Sequence, residues 1–168
     1  KWAGTSVGSQ DHLAILATQQ ITGAKFNYVS YNAANEVIAA LLGGHVDLAC
    51  AEPYQTKAQA DAGKARMLAV IAEKRMKGLE DIPTMKELGY DVFIPMQRGV
   101  VAAGKIPAEA RAFYIDIFSK LADSKEWHDY TSKEGITEAF IAGDEYTKFL
   151  ADETVKWANL LKLGGIIQ

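Results

Sequence analysis

From Asp11 to Ala72 the chain alternates helix-like and strand-like segments at short spacing, and this alternation ends before Pro107. Apolar Leu13, Ile15, Leu16, Ala17 and Ile21 predict a helix over residues 11–22, opened by Gly8-Ser9-Gln10-Asp11, in which Ser9 or Asp11 could serve as N-cap. Residues 26–31 set aromatic and β-branched side chains against polar ones at a period of two, which predicts a strand. A second helix over 33–42 stops at Gly43-Gly44, and a short strand follows at 46–51. A helix over 53–62, with proline near its first turn, leads to a fully apolar strand at 67–72. Helix, strand, helix, strand, helix, strand with short connections predicts an α/β layered domain on a mainly parallel sheet. Residues 82–89 predict a short capped helix, and 92–96 with 98–103 an extended stretch bent near Pro95. Beyond Pro107 the pattern becomes helical: two amphipathic helices over 108–122 and 145–163 flank a shorter one over 125–134. This last third holds too few strands for a sheet of its own, so it must pack onto something else.

Composition removes several functions. At 168 residues, 49% apolar and 23% charged, the chain can bury a sizeable core. Its net charge of −3, with neither sign gathered into a block, gives no support for nucleic acid as a partner. The single cysteine, Cys50, makes no internal disulfide and argues against zinc clusters, iron–sulfur clusters and paired-thiol redox chemistry. His12, His45 and His128 lie far apart and lack a second ligand at helical spacing, so no metal is expected. Neither nucleotide-binding glycine motif occurs, and no cofactor is expected. No apolar run reaches the roughly 18 residues of a membrane span. Lys1-Trp2-Ala3-Gly4 carries neither an initiator methionine nor the charged and apolar regions of a signal peptide, so the numbering is expected to start inside a longer precursor.

The most conspicuous chemistry lies in residues 3–12, a run of small and hydroxyl residues entering a helix. Backbone amides at a helix start, the positive end of the helix dipole and hydroxyl donors suit a carboxylate or phosphate, although ordinary capping turns look similar. Gly4-Thr5-Ser6-Val7-Gly8 also satisfies the G-x-S-x-G nucleophile elbow of α/β hydrolases, with Ser6 as nucleophile. A hydrolase needs a strand before the elbow, where only Lys1-Trp2 remain, and an acid and a histidine after it in order; His45 sits beside a Gly-Gly turn and His128 on a helix. Tyr31 ends one predicted strand and Glu52-Pro53-Tyr54 follows another, where an open parallel sheet binds ligands. Packing is the alternative role of the aromatics. Glu52 could oppose a second carboxylate or accept hydrogen bonds from a ligand's amine or hydroxyl.

Six segments together resemble a known family in order and spacing: Gly4-Thr5-Ser6-Val7-Gly8-Ser9-Gln10-Asp11-His12-Leu13, Val29-Ser30-Tyr31-Asn32, Leu41-Leu42-Gly43-Gly44-His45-Val46-Asp47, Ala62-Gly63-Lys64-Ala65-Arg66-Met67-Leu68-Ala69-Val70, Ile82-Pro83-Thr84-Met85-Lys86-Glu87-Leu88-Gly89-Tyr90, and the run from Arg98 to Pro107. The family is that of the periplasmic substrate-binding proteins of tripartite tricarboxylate transporters, the Bug-type receptors. The resemblance implies a periplasmic-binding-protein-like, type II Venus flytrap of α/β class that captures a small organic carboxylate between two lobes. It implies no catalysis, delivery of the ligand to cognate membrane permease subunits, and a periplasmic location after removal of a signal peptide that this chain does not contain. Carried over position by position, Gly4, Thr5, Ser6, Ser9, Gln10 and His12 would hold a carboxylate, and Tyr31, Glu52 and Tyr54 would line the cleft. A carboxylate at 52 departs from the small or polar residue usual there, which puts a plain dicarboxylate ligand in doubt.

Nothing in the chain matches the family's first cleft loop, a glycine-rich segment of the N-terminal lobe. The expectation is therefore a C-terminal portion with that lobe largely absent: residues 1–94 form the second ligand-binding lobe, 95–106 a crossover segment, and 107–168 the helical C-terminal part of the first lobe. Helices beyond Pro107 would then expose apolar faces, a hazard of self-association or of docking to a second polypeptide. A helical interaction module is accordingly the third reading, beside the receptor and the Ser6 hydrolase.

Overall fold

The computed structural model describes residues 1–168. Three strands, β1 (Trp2–Thr5), β2 (Tyr28–Tyr31) and β3 (Leu48–Ala49), form one parallel sheet in the order β2-β1-β3. Helices α1 (Gln10–Thr22) and α2 (Ala34–Leu42) connect them, and α3 (Pro53–Asp61) follows β3. The expected α/β class with a parallel sheet is thus present. The chain divides into two compact units, residues 1–96 with 156–168, and residues 97–155.

The central strand β1 was not anticipated. The sequence placed residues 3–12 in a loop and left only Lys1-Trp2 before the elbow, yet Trp2 to Thr5 pair in register with Tyr28 to Tyr31. Four residues containing Gly4 show no alternation to read; the pairing partners on both sides supply the order. Ala3, fully buried, packs with Val37, Ala40 and Val46 on one face of the sheet, alongside Val29 and Tyr31. On the other face Leu13, Ala14 and Ala17 of α1 join Val92, Ile94 and Leu160.

Helix α1 is covered on all sides, since His12 to Thr18 are consecutively buried. Ser9 is its N-cap, with Oγ accepting from the His12 amide, and Gly23 ends it at φ 70°, in the left-handed region that glycine tolerates. Leu13 and Ile15 are removed almost completely from water, about 2–3 kcal/mol of transfer free energy apiece.

Two expected elements shrink to fragments. The apolar run 67–72 contributes a single bridge, Val70 to Thr84, in place of a strand. Residues 82–89 make one turn: Thr84 and Glu87 exchange the reciprocal side-chain bonds of a capping box, but Gly89 at φ 89° closes the turn before a helix develops. The 92–96 stretch belongs to no sheet, although Val92 and Ile94 fill the core.

In the second unit, α4 (Ala108–Ala122) and α5 (Lys125–Glu134) are joined by a turn capped by Ser124, and α6 (Gly143–Leu163) begins. Glu138 accepts from Thr131 Oγ1 and pairs with His128 Nδ1 at 2.8 Å, and Arg111 pairs with Asp144 at 2.7 Å. No residue of α4 is fully buried, and Phe113 is 61% exposed. No helix is long and apolar enough to cross a membrane.

Candidate functional site

All three strands run the same way, so the loops leaving Thr5, Tyr31 and Ala49 emerge at one edge of the sheet, its carboxyl edge. The first connection goes to one side of β1 and the second returns to the other, so β1 ends at the point where open α/β sheets bind ligands. Gly4, Thr5, Ser6, Ser9, Gln10 and His12 all belong to the β1–α1 corner at this edge. Tyr31 lies opposite Thr5 in the register, and its carbonyl accepts from the Ser6 amide at 3.0 Å. Glu52 precedes α3 as its N-cap, and Tyr54 stands in the first turn, about half exposed.

The corner is closed by its own side chains. Thr5 donates from its amide and its hydroxyl to Asp11 Oδ2, at 2.8 and 2.7 Å. The Thr5 carbonyl accepts from Ser9 Oγ at 2.6 Å and from the Tyr28 hydroxyl. Gly4 is required here by space: a Cβ would lie 2.7 Å from Asp11 Cβ and 2.8 Å from the Tyr28 hydroxyl oxygen. Gln10 Nε2 donates to Pro95 O at 3.0 Å, which engages one end of that side chain within the unit. His12 Nδ1 accepts from the Gly8 amide at 3.1 Å, and its ring stacks on Tyr28. Tyr31 packs against the cluster of Ala3, Val37, Ala40 and Val46.

What remains available is backbone and Ser6. The Ser6, Gly8 and Ser9 amides bond to Tyr31 O, His12 Nδ1 and Ser6 O, whereas the amides of Val7, Gln10 and Asp11 have no protein acceptor. Two of these are the first amides of α1, at the positive end of its dipole. Ser6 is exposed. It is preceded by a strand after all, contrary to the sequence reading, but no histidine bonds to its hydroxyl: His12 takes Gly8 and Tyr28, and His128 takes Glu138.

Three titratable groups packed at this edge, His12, Tyr28 and Cys50, stay neutral. Burial lowers the His12 pKa from its ordinary 6.5, which keeps the ring neutral. Burial pushes the Tyr28 phenol up to about 12; the Ser9 hydroxyl works against this, and the charge of Asp11 adds to it. The Cys50 thiol, raised to about 12 by burial and then by Asp11, stays protonated and is no nucleophile. Asp11, Tyr28 and Cys50 were not among the residues the sequence singled out for the site. The period of two places Tyr28 on the α1 face, a usable signal, whereas nothing in sequence brings Cys50 to Asp11.

A parallel α/β lobe with helix starts collected at the carboxyl edge is an architecture of many ligand-binding domains, and solved solute-binding proteins share this one. A TctC solute-binding protein from Polaromonas superposes with a TM-score of 0.79 at 27% identity over 96% of this chain and 56% of that one. An R. palustris protein solved with adipate gives 0.79 at 22% identity, over 98% and 55%. The family model described as tripartite tricarboxylate transporter family receptor, TctC, matches residues 1–166, and the chain belongs to that family. Among curated relatives, BugT of Bordetella pertussis is 27% identical over 165 residues, 98% of this chain and 51% of its own length. The chain spans about half the length of the curated relatives it matches.

Proposed function

We propose that this chain is the ligand-binding part of an extracytoplasmic solute receptor that captures a small organic carboxylate and passes it to a tripartite tricarboxylate-type permease in the membrane. The observation that carries this reading is the set of unpaired amides of Val7, Gln10 and Asp11 at the start of α1, beside exposed Ser6, at the carboxyl edge of a parallel sheet. Such amides recognise an anion without a positively charged side chain. The family receptors and the adipate held by the R. palustris protein make a carboxylate the anion of choice. Gly4, Thr5, Ser9 and His12 then shape the corner, Ser6 and Gln10 meet the ligand, and Tyr31, Glu52 and Tyr54 stand around it.

On this reading residues 1–94 are one ligand-binding lobe, 95–106 a crossover and the helices of 107–168 a contribution to a second lobe up to residue 155, the last stretch, 156–168, packing with the first unit, in a periplasmic protein without catalytic activity. Calorimetric titration of the chain with adipate, citrate, malate, tartrate, aromatic carboxylates and amino acids tests it. Saturable binding of at least one carboxylate, weakened when Ser6 is replaced by alanine, is the expected result; heat of dilution alone for all of them overturns it.

The exposed side chains Phe113, Tyr114, Ile117 and Leu121 on α4 favour an additional property, self-association through that helix. A discrete oligomer on sizing that Phe113→Asp dissolves supports it, and a monomer at all concentrations removes it.

A further inference from the structure

The sheet opens at its carboxyl edge, and the opening has a frame of side chains. The last backbone bond between β3 and β1 runs from the Cys50 amide to Ala3 O at 2.8 Å. Ala3 therefore turns its backbone groups toward β3, and by the two-residue period of a strand Thr5 turns its own to the same side. The register of β3 stops at Ala49, so no strand meets Thr5 there. Its amide goes to Asp11 Oδ2, and its carbonyl receives Ser9 Oγ and the Tyr28 hydroxyl. The same Asp11 oxygen takes the Thr5 hydroxyl, and the Asp11 carboxylate lies close enough to the Cys50 thiol, on the segment that departs, to help hold it protonated. Three side chains thus replace a strand that has peeled away.

We propose that Asp11 is a positioning and specificity-setting residue of the carboxylate site, a resident carboxylate that occupies the Thr5 donors and holds β1 and β3 apart. The inference rests on the receptor reading and deepens it. With Asp11 in place Thr5 is closed to an incoming anion, and the ligand meets only the outer loop, the amides of Val7, Gln10 and Asp11 with Ser6. The negative charge of Asp11 beside those amides also opposes anion binding, which selects against ligands that bring full charge to this corner without hydrogen-bonding the loop.

The test compares Asp11→Ala and Asp11→Asn with the unaltered 168-residue chain, reading Thr5 amide hydrogen exchange by NMR and titrating with succinate, citrate and malate. Asp11→Ala is expected to speed Thr5 exchange at least about tenfold relative to the Ala3 amide and, by freeing the Thr5 donors and removing the charge, to tighten binding of these acids about tenfold. Asp11→Asn keeps one acceptor oxygen and loses the charge, so Thr5 protection is retained within about threefold and binding tightens about three- to tenfold. Unchanged Thr5 exchange in Asp11→Ala, or equal exchange in the two variants, overturns the proposal. Should Asp11→Ala fail to fold, Asp11→Glu carries the test: its displaced carboxylate is expected to speed Thr5 exchange at least threefold, and no change overturns the role. If the exchange pattern holds but no version takes up any of the acids, the receptor reading is overturned while the frame is supported.

Discussion

His12 lies flat on Tyr28, ring centroids 4.0 Å apart and planes inclined by 10°, while its Nδ1 accepts the Gly8 amide. The imidazole thereby ties the loop to the first turn of α1 and to the first residue of β2 in its neutral form. A proton on Nδ1 would remove the only acceptor Gly8 has.

The pH dependence follows. Burial lowers the His12 pKa in the folded chain below the ordinary 6.5, so between the two values the unfolded chain binds more protons. Stability is expected to be complete above about pH 6.5 and to fall as pH is lowered from there. Urea unfolding at pH 7.5 and 5.5 checks this: the midpoint falls for the native chain, and His12→Gln, which cannot titrate, removes most of the difference. The exposed carboxylates held low, Asp47, Glu80, Glu87 and Glu138, act in a separate, more acidic window, where protonation withdraws their contribution.

Gly4→Ala is expected to destabilise by about 2 kcal/mol, because its Cβ meets Asp11 Cβ and the Tyr28 hydroxyl oxygen inside 3 Å. Gly104 has open space around it, so Gly104→Ala should stay within about 0.5 kcal/mol. Equal urea midpoints for the two variants would contradict the close approach of α1 to β1.

Ser9 and Ser124 both cap helices and both hydroxyls also donate to a backbone carbonyl, but the Ser9 Oγ bond to Thr5 O is partly buried whereas the Ser124 Oγ bond to Leu121 O is exposed. Ser124→Ala should cost about 1 kcal/mol and Ser9→Ala about 2 kcal/mol, measured by thermal unfolding. The reverse order would show that the Thr5 bond contributes nothing.

Leu13 is fully buried and Phe113 mostly exposed. Leu13→Ala is expected to cost about 2–5 kcal/mol, and Phe113→Ala, at concentrations where the chain is monomeric, no more than about 0.5 kcal/mol. A cost above about 1 kcal/mol at Phe113 would mean that the α4 face is covered in solution.

Cys50, with its thiol pushed up to about 12, should react with a disulfide reagent at pH 8 far more slowly than the same thiol in urea. Fast labelling of the folded chain would place Cys50 outside the Asp11 contact.

Much of the first unit was legible because period and punctuation agreed. Apolar spacing with Ser9 before it and Gly23 after it marks α1, and Gly43-Gly44 marks the end of α2 within a residue. The errors fall where tertiary contacts decide. Residues 67–72 are as apolar as a central strand but make only the Val70 bridge, and Trp2 to Thr5, without visible alternation, form the centre of the sheet. At the candidate site, glycine and hydroxyl content revealed the corner, while the position of Asp11 between Thr5 and Cys50 depends on β3 leaving the sheet, a geometric event with no local sequence mark.

Leu160 of α6 packs into the same core as Leu13 of α1, and Gly164 abuts Leu16. During synthesis, then, α1 leaves the ribosome long before the residues that cover its outer wall, and the first unit cannot be sealed until nearly all 168 residues have been made. Until they are in place the apolar side of α1 stays uncovered, so a chain cut short before Leu160 presents that side to other proteins.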